Sequence, residues 1–250
     1  MNFVEKPNLP NRASTVLIGE KYAGILIKPL ENQGVSTVIV PNNPNVDPRL
    51  SGHVDLSALH TGGEGVILAP YLTDQQTFFV QLGLKPTVLC QAQGPLYPDD
   101  AALNLCMVGE HVFYHPRIHT DIVNLLTSGR EYLLHAVRQG YSRCSVCIIS
   151  DDALITADRG MAKAASAAGL DVLLITPGFV SLPGFSYGFL GGACFKIASD
   201  IIAFTGTLDR HPDQYRILSF LNVHGINPVY LTSDPVFDIG SAIPLIEQGR

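Results

Sequence analysis

Gly65-Val66-Ile67-Leu68 is a short apolar run that follows an acidic, glycine-rich turn, and four other stretches of the chain read the same way. They are Gly24-Ile25-Leu26-Ile27, His111-Val112-Phe113-Tyr114, Ala153-Leu154-Ile155-Thr156 and Ile201-Ile202-Ala203-Phe204. Aligned on Ile25, Val66, Val112, Leu154 and Ile202, they are spaced by 41, 46, 42 and 48 residues, and five such units account for the 250 residues. Self-similarity at a period of this size marks a repeat architecture.

Working outward from each run, a turn is followed by a helix-like stretch ending in glycine, at Gly34, Gly83, Gly169 and Gly225, the residue that most easily closes a helix. Gly160 to Ala168 and Pro212 to His224 are the fullest examples. A second apolar strand comes next: Thr37 to Val40, Thr87 to Cys90, Val172 to Ile175 and Val229 to Leu231. The third unit fits least well, because Ile118 to Gln139 reads as helix with no clear strand before Tyr141. Leading strands are expected to begin at His53, Asp99, Tyr141, Gly188 and Phe237. Each unit is then ββαβ with about three strands. A seven-bladed WD40 propeller has similar spacing, but its blades are all β. The expectation is an α/β fold, a single domain over 1–250, with five α/β blades about a pseudo-fivefold axis.

The chain is 46% hydrophobic and 15% charged, with mean hydropathy +0.23, as for strands buried on both faces. Net charge −6 and a pI near 5.7 give no footprint for nucleic acid or an anionic membrane. Met1 to Arg12 is polar with two prolines and lacks the apolar core of a signal peptide. No apolar run approaches the roughly 18–20 residues of a spanning helix. Five cysteines, Cys90, Cys106, Cys144, Cys147 and Cys194, suit a reducing compartment better than a disulfide framework. A cytoplasmic protein is expected.

Five leading strands converging on one axis would bring equivalent positions to one central site. His53 and Asp55 in Gly52-His53-Val54-Asp55-Leu56-Ser57 would share a strand face; alone, such a pair is ordinarily a solvated feature of a sheet edge. Other blades carry Asp99 and Asp100, Arg143 with Cys144, Cys194, and Asp238.

At these residues the chain resembles the guanidino-group-modifying enzyme superfamily, the pentein fold of arginine deiminases, agmatine deiminases, dimethylarginine dimethylaminohydrolases and amidinotransferases. The likeness covers nearly the whole chain at the level of the repeat, and is closest to a bacterial branch with similar Gly-His-x-Asp-Leu-Ser, Gly-Tyr-x-x-Cys-Ser-x-Cys and Asp-Ile-Gly-Ser stretches. In that superfamily the blades run in cyclic order: an acid, Glu-Gly-Gly, His-x-Asp, an unused blade, then Cys. Starting from Cys144, the ring places His53 in the histidine blade and Asp238 where the Glu-Gly-Gly carboxylate would be. Taking Cys194 as the thiol would put the histidine blade at Asp99, which has no histidine. The acid expected after the Cys144 blade is replaced by Gly191-Gly192-Ala193-Cys194.

The resemblance implies a cysteine-dependent hydrolase or transferase acting on a guanidino or amidino small molecule through a thiouronium intermediate. Cys144 is then the nucleophile and His53 the general acid and base, with Asp55 also counted in the catalytic set. Asp238, Asp55, Asp100 and Arg143 are the candidates for binding substrate. A thiol with an ordinary pKa of about 8.5 needs a cationic neighbour to ionise: protonated His53, Arg143 or the substrate itself. No cofactor and no metal are implied, and a homodimer is open.

Other readings stand beside these. Cys144 is equally a small buried core residue, and Asp99 and Asp100 read better as turn caps than as substrate ligands. Cys144 and Cys147 form a Cys-x-x-Cys, but i and i+3 on a strand point to opposite faces, which disfavours a shared metal. His60, His111, His115, His119, His135, His211 and His224 make no clean ligand set. Thr61 to Gly65 and Gly188 to Gly192 lack nucleotide-binding spacing. The aromatic loop Pro177 to Gly188 reads as packing between blades, with a lid or substrate wall as the alternative. A non-catalytic member of the same architecture, like a ribosome anti-association factor or a small-ligand sensor, is the competing function.

Overall fold

The computed structural model describes residues 2–91, 93–118, 120–127 and 131–249. In chain order the elements are β1 (Asn2–Phe3), β2 (Ala13–Gly19), α1 (Glu20–Asn32) and β3 (Ser36–Val40); then β4 (Ala58–Gly62), β5 (Gly65–Leu68), α2 (Gln76–Gln81) and β6 (Lys85–Val88). Next come β7 (Cys106–Val108), β8 (His111–Tyr114), α3 (Thr120–Thr127) and β9 (Leu133–Ala136), followed by β10 (Val146–Ile148), β11 (Ala153–Thr156), α4 (Arg159–Ala167) and β12 (Asp171–Leu174). The last are β13 (Cys194–Ala198), β14 (Ile201–Phe204), α5 (Gln214–Val223), β15 (Asn227–Tyr230) and β16 (Ile243–Glu247).

These form five small mixed sheets: β4-β5-β6, β7-β8-β9, β10-β11-β12, β13-β14-β15 and β1-β16-β2-β3. In each, an antiparallel pair leads through a helix to a parallel third strand, as His60 opposite Val66 and Ile67 opposite Thr87 show for the second blade. This is the expected ββαβ unit. The first blade takes its leading strand from the far end of the chain, with Ile243 opposite Leu17, so pairing of the two ends closes the ring.

Neighbours along the middle strands face opposite sides, and each side meets a different blade. Val66 and Leu68 pack with Leu17 and Leu245, while Ile67 packs with Met107 and Val112. Leu154 joins Phe113, and Ile155 joins Cys194 and Phe204. Ala203 joins Val16, Ile18 and Leu26. Among the described residues the core is therefore five clusters between blades, with a smaller sixth of Val46, Leu50, Leu56 and Leu182. A strand buried on both faces shows a continuous apolar run instead of alternation, the pattern legible at β5, β8, β11 and β14.

Two expectations about elements are corrected. Gly24 to Ile27 is not a strand but the middle of α1, whose buried residues Tyr22, Leu26 and Leu30 recur every four while Ile25 is half exposed; the strand of that unit is β2. Ile118 to Gln139 is not one helix, for α3 gives way to β9, which pairs with β8; residues 119 and 128–130 inside this stretch, with His119 among them, lie outside the described residues. The glycine stops at Gly34, Gly83, Gly169 and Gly225 all have positive φ, which glycine adopts without steric penalty.

Candidate functional site

The site lies in the turns that precede the leading strands, not on the strands themselves. Val54–Leu56 is a single 3-10 turn ahead of β4, with His53 as its extended first residue. Asp99–Ala101 is another ahead of β7, and Gly191–Ala193 another ahead of β13. Cys144 sits in a turn two residues before β10, and Asp238 just ahead of the bend at Ile239 and Gly240 that leads to β16. The expected strand pairing of His53 with Asp55 is therefore replaced by a turn, which nevertheless delivers both to one place.

The Cys144 thiol donates to Asp55 Oδ2 at 2.7 Å and receives Asn104 Nδ2 at 3.5 Å. Asn104 Oδ1 accepts from the backbone N–H groups of Arg143 and Cys144, fixing the turn that carries the thiol. Ligand atoms of His53, Cys144 and Asp238 lie within 4.8 Å of one another, and His53 Nδ1 is 3.9 Å from Asp238 Oδ1. All are buried, and His53 Nε2 and Asp55 Oδ1 have no hydrogen-bond partner among the described residues. An imidazole, a thiol and a carboxylate are ligands that could together hold a thiophilic ion such as zinc.

Asp238 is held by the N–H of Gly240 on Oδ1 and of Phe189 on Oδ2. Any side chain at Gly192 would overlap Asp238 Oδ1, and one at Gly191 would overlap the Val146 carbonyl. The blade that lacks an acid is thus filled by backbone packed against the neighbouring carboxylate. Gly240, at φ +70°, packs on His53 and Asp55 in the same manner.

Burial dominates the electrostatics. It pushes the Asp55 carboxyl up to about 7 against the smaller opposing effect of the thiol hydrogen bond, and it lowers the His53 imidazole, with Asp238 opposing. The Cys144 thiol is raised well above its ordinary value by burial and then by Asp55 and Asp238. Burial therefore favours a neutral imidazole and a protonated thiol.

A cavity of 280 Å³ opens onto His53, Cys144 and Asp238. Tyr141, Leu50, Leu182, Phe185, Ser186, Tyr187 and Phe189 complete its lining. The aromatic loop is a wall of this cavity, which corrects the reading of it as packing between blades. Of the residues expected to bind substrate, Asp238 lines the cavity, while Asp55, Arg143 and Asp100 do not. Arg143 gives its guanidinium to Asn8 Oδ1, Val146 O, Gly191 O and Ser241 Oγ, and so braces the turns. Asp100 Oδ2 accepts from the Tyr141 hydroxyl at 2.5 Å and positions that wall residue. Cys147 lies with Cys194 in the core between the fourth and fifth blades, apart from Cys144. Of the other histidines, His60 bonds the Gly63 carbonyl, and His111 meets His135 at 2.8 Å across β8 and β9.

Sequence reasoning missed Asn104. Its signal was a lone amide in the otherwise apolar run Ala101 to Val108, in the same blade as Asp99 and Asp100.

Solved structures with the same fold include SxtG, an amidinotransferase of Microseira wollei from the saxitoxin biosynthetic pathway, at TM-score 0.60 and 11% identity over 99% of this chain and 98% of that one. The C. jejuni agmatine deiminase matches at TM-score 0.58 and 7% identity over 100% and 97%. DDAH from Pseudomonas aeruginosa, complexed with citrulline, matches at 0.56 and 11% over 88% and 92%. At these identities the likeness is one of fold, and it fixes the architecture as the pentein fold. No curated protein matches the chain in sequence. Residues 17–243 match the Family of unknown function (DUF6873), and the chain belongs to that family.

Proposed function

We propose that the chain is a cysteine-dependent hydrolase or transferase acting on a guanidino or amidino small molecule. The observation that supports this most is the grouping, at one cavity, of the Cys144 thiol with His53 and Asp238 within 4.8 Å and with Asp55 in hydrogen bond to the sulfur.

The raised thiol bears on the three ways of ionising it. Burial favours neutral His53 and Arg143 is occupied by backbone and side-chain acceptors, which supports the substrate as the cation that favours the thiolate. Asp238, which lines the cavity, offers carboxylate oxygens to a planar cation, and Asp55 meets the site through the Cys144 sulfur. As the cation binds, the Cys144 proton passes to His53 and the thiolate adds to the central carbon. Imidazolium then protonates the departing amine, the C–N bond breaks, and a thiouronium cation remains on sulfur. Neutral His53 next takes a proton from water, or from an acceptor amine, as it attacks that carbon; the C–S bond breaks and the thiolate is restored.

The test is to incubate the His53→Ala protein with a panel of guanidines and amidines, quench in acid and map the peptides by mass. An amidino adduct on Cys144 is expected from panel members whose leaving group departs without a proton from His53, because release of the adduct then lacks its base. Absence of any adduct across the panel, with no amine released by the wild type, contradicts the proposal.

A further inference from the structure

The cavity carries information about the part of the substrate that does not react. Leu50, Leu182, Phe185, Tyr187, Phe189 and Tyr141 wall it. Its ionisable groups are His53, Cys144, Asp238 and the two phenols, and among the described residues no lysine or arginine lines it.

The cations behind the wall are already engaged. Arg49 stacks 4.1 Å from the Phe185 ring, gives Nε and Nη2 to Asp47, and gives Nη1 to the Gly184 carbonyl. Lys21 gives its ammonium to the Arg49 carbonyl. A carboxylate brought in on the substrate would lie against apolar side chains near Asp238, with no cation to meet it. An unpaired buried charge is strongly disfavoured, whereas aryl and alkyl groups gain from contact with such walls.

We infer that the site takes an amidine or guanidine bearing an aryl or alkyl group and no carboxylate, so that guanidino amino acids are poor ligands. This rests on the proposed function, since it concerns the same cavity and the same thiol. At 280 Å³ the space is at the small end for ligand pockets, about 300–1,000 Å³, which suits one ring or a short chain. Phe185, Tyr187 and Phe189 come from the loop whose Gly184 is clamped by Arg49, so the wall that selects the tail is held in place from outside the cavity.

Three 2-chloroacetamidines carrying N-phenyl, N-butyl or N-(3-carboxypropyl) groups test it on the wild-type protein. Each alkylates a thiolate by forming a C–S bond as chloride leaves, and Cys144 occupancy is read by peptide mass against time. The phenyl and butyl probes are expected to label Cys144 at least about 10-fold faster than the carboxypropyl probe. Tyr187→Ala, at a 43% exposed position, should slow the phenyl probe. Equal or faster labelling by the carboxypropyl probe overturns the inference and leaves the cysteine mechanism standing. Failure of all three to mark Cys144 overturns the mechanism, and the inference falls with it.

Discussion

Cys144 and Cys194 occupy related places on neighbouring blades, one in the turn before β10 and the other at the head of β13. Both are buried, and burial raises both thiols well above their ordinary values. Their neighbours differ. Cys144 borders a cavity and meets Asp55, Asn104, His53 and Asp238. Cys194 packs beside Cys147, Ile155 and Phe204 and hydrogen-bonds its own kind. The direction of the shift therefore does not separate the two thiols. Access to the cavity, and the imidazole and carboxylates grouped beside the sulfur, do.

Substitution of the two thiols is the strongest way to break that contrast. Cys144→Ser should lower turnover by about 10⁴-fold or more, with thermal stability held. Cys194→Ala should leave kcat within a few-fold and cost about 1 kcal/mol in chemical denaturation, as for a small core residue. Comparable losses of activity from both would erase the distinction. His53→Ala follows, with kcat expected to fall by about 10²–10⁴-fold. Asp238→Asn should act mainly on capture of the cation, lowering kcat/KM by about 10–100-fold with most of the change in KM.

Asp55→Asn tests the electrostatic half of the contrast without a substrate. Because the folded carboxyl titrates at about 7 and the unfolded one near 3.9, the folded state binds more protons between these values, and stability falls as pH climbs through that window. The buried His53 has the opposite sign: its lowered folded pKa means stability is lost as pH drops below about 6.5. Above pH 7.5 the Asn variant should be more stable than wild type by on the order of 1–3 kcal/mol, and near pH 4 the two should converge. Urea denaturation across this range gives the difference, and a constant offset would show that Asp55 is ionised throughout.

The same contrast explains what the sequence could disclose. Strands β5, β8, β11 and β14 were legible because a middle strand between two interblade clusters is apolar along most of its length. Gly24 to Ile27 misled for the same reason, since a helix that buries Tyr22, Leu26 and Leu30 also carries a short apolar run. Cyclic order does not depend on local conformation, and the blade it picked brings Cys144, not Cys194, beside His53 and Asp238 although His53 and Asp55 lie at a 3-10 turn. Roles that depend on side-chain direction were not legible. Nothing in the local sequence says that Arg143 turns to Asn8 and Ser241, or that Gly192 must be bare because Asp238 rests on it. The wall formed by Phe185, Tyr187 and Phe189 is likewise a long-range contact between a loop and turns from other blades.

The central claim is that a bound planar cation, and not the resting protein, activates Cys144. Parallel alkylation with 2-chloroacetamidine and its neutral isostere 2-chloroacetamide, followed by peptide mass mapping of all five cysteines, tests it most directly. The cationic reagent should mark Cys144 far ahead of Cys194 and of the exposed Cys90, and the neutral reagent should show no preference for Cys144. Equal labelling of Cys144 by the two reagents, or cationic labelling spread without regard to position, would contradict the account.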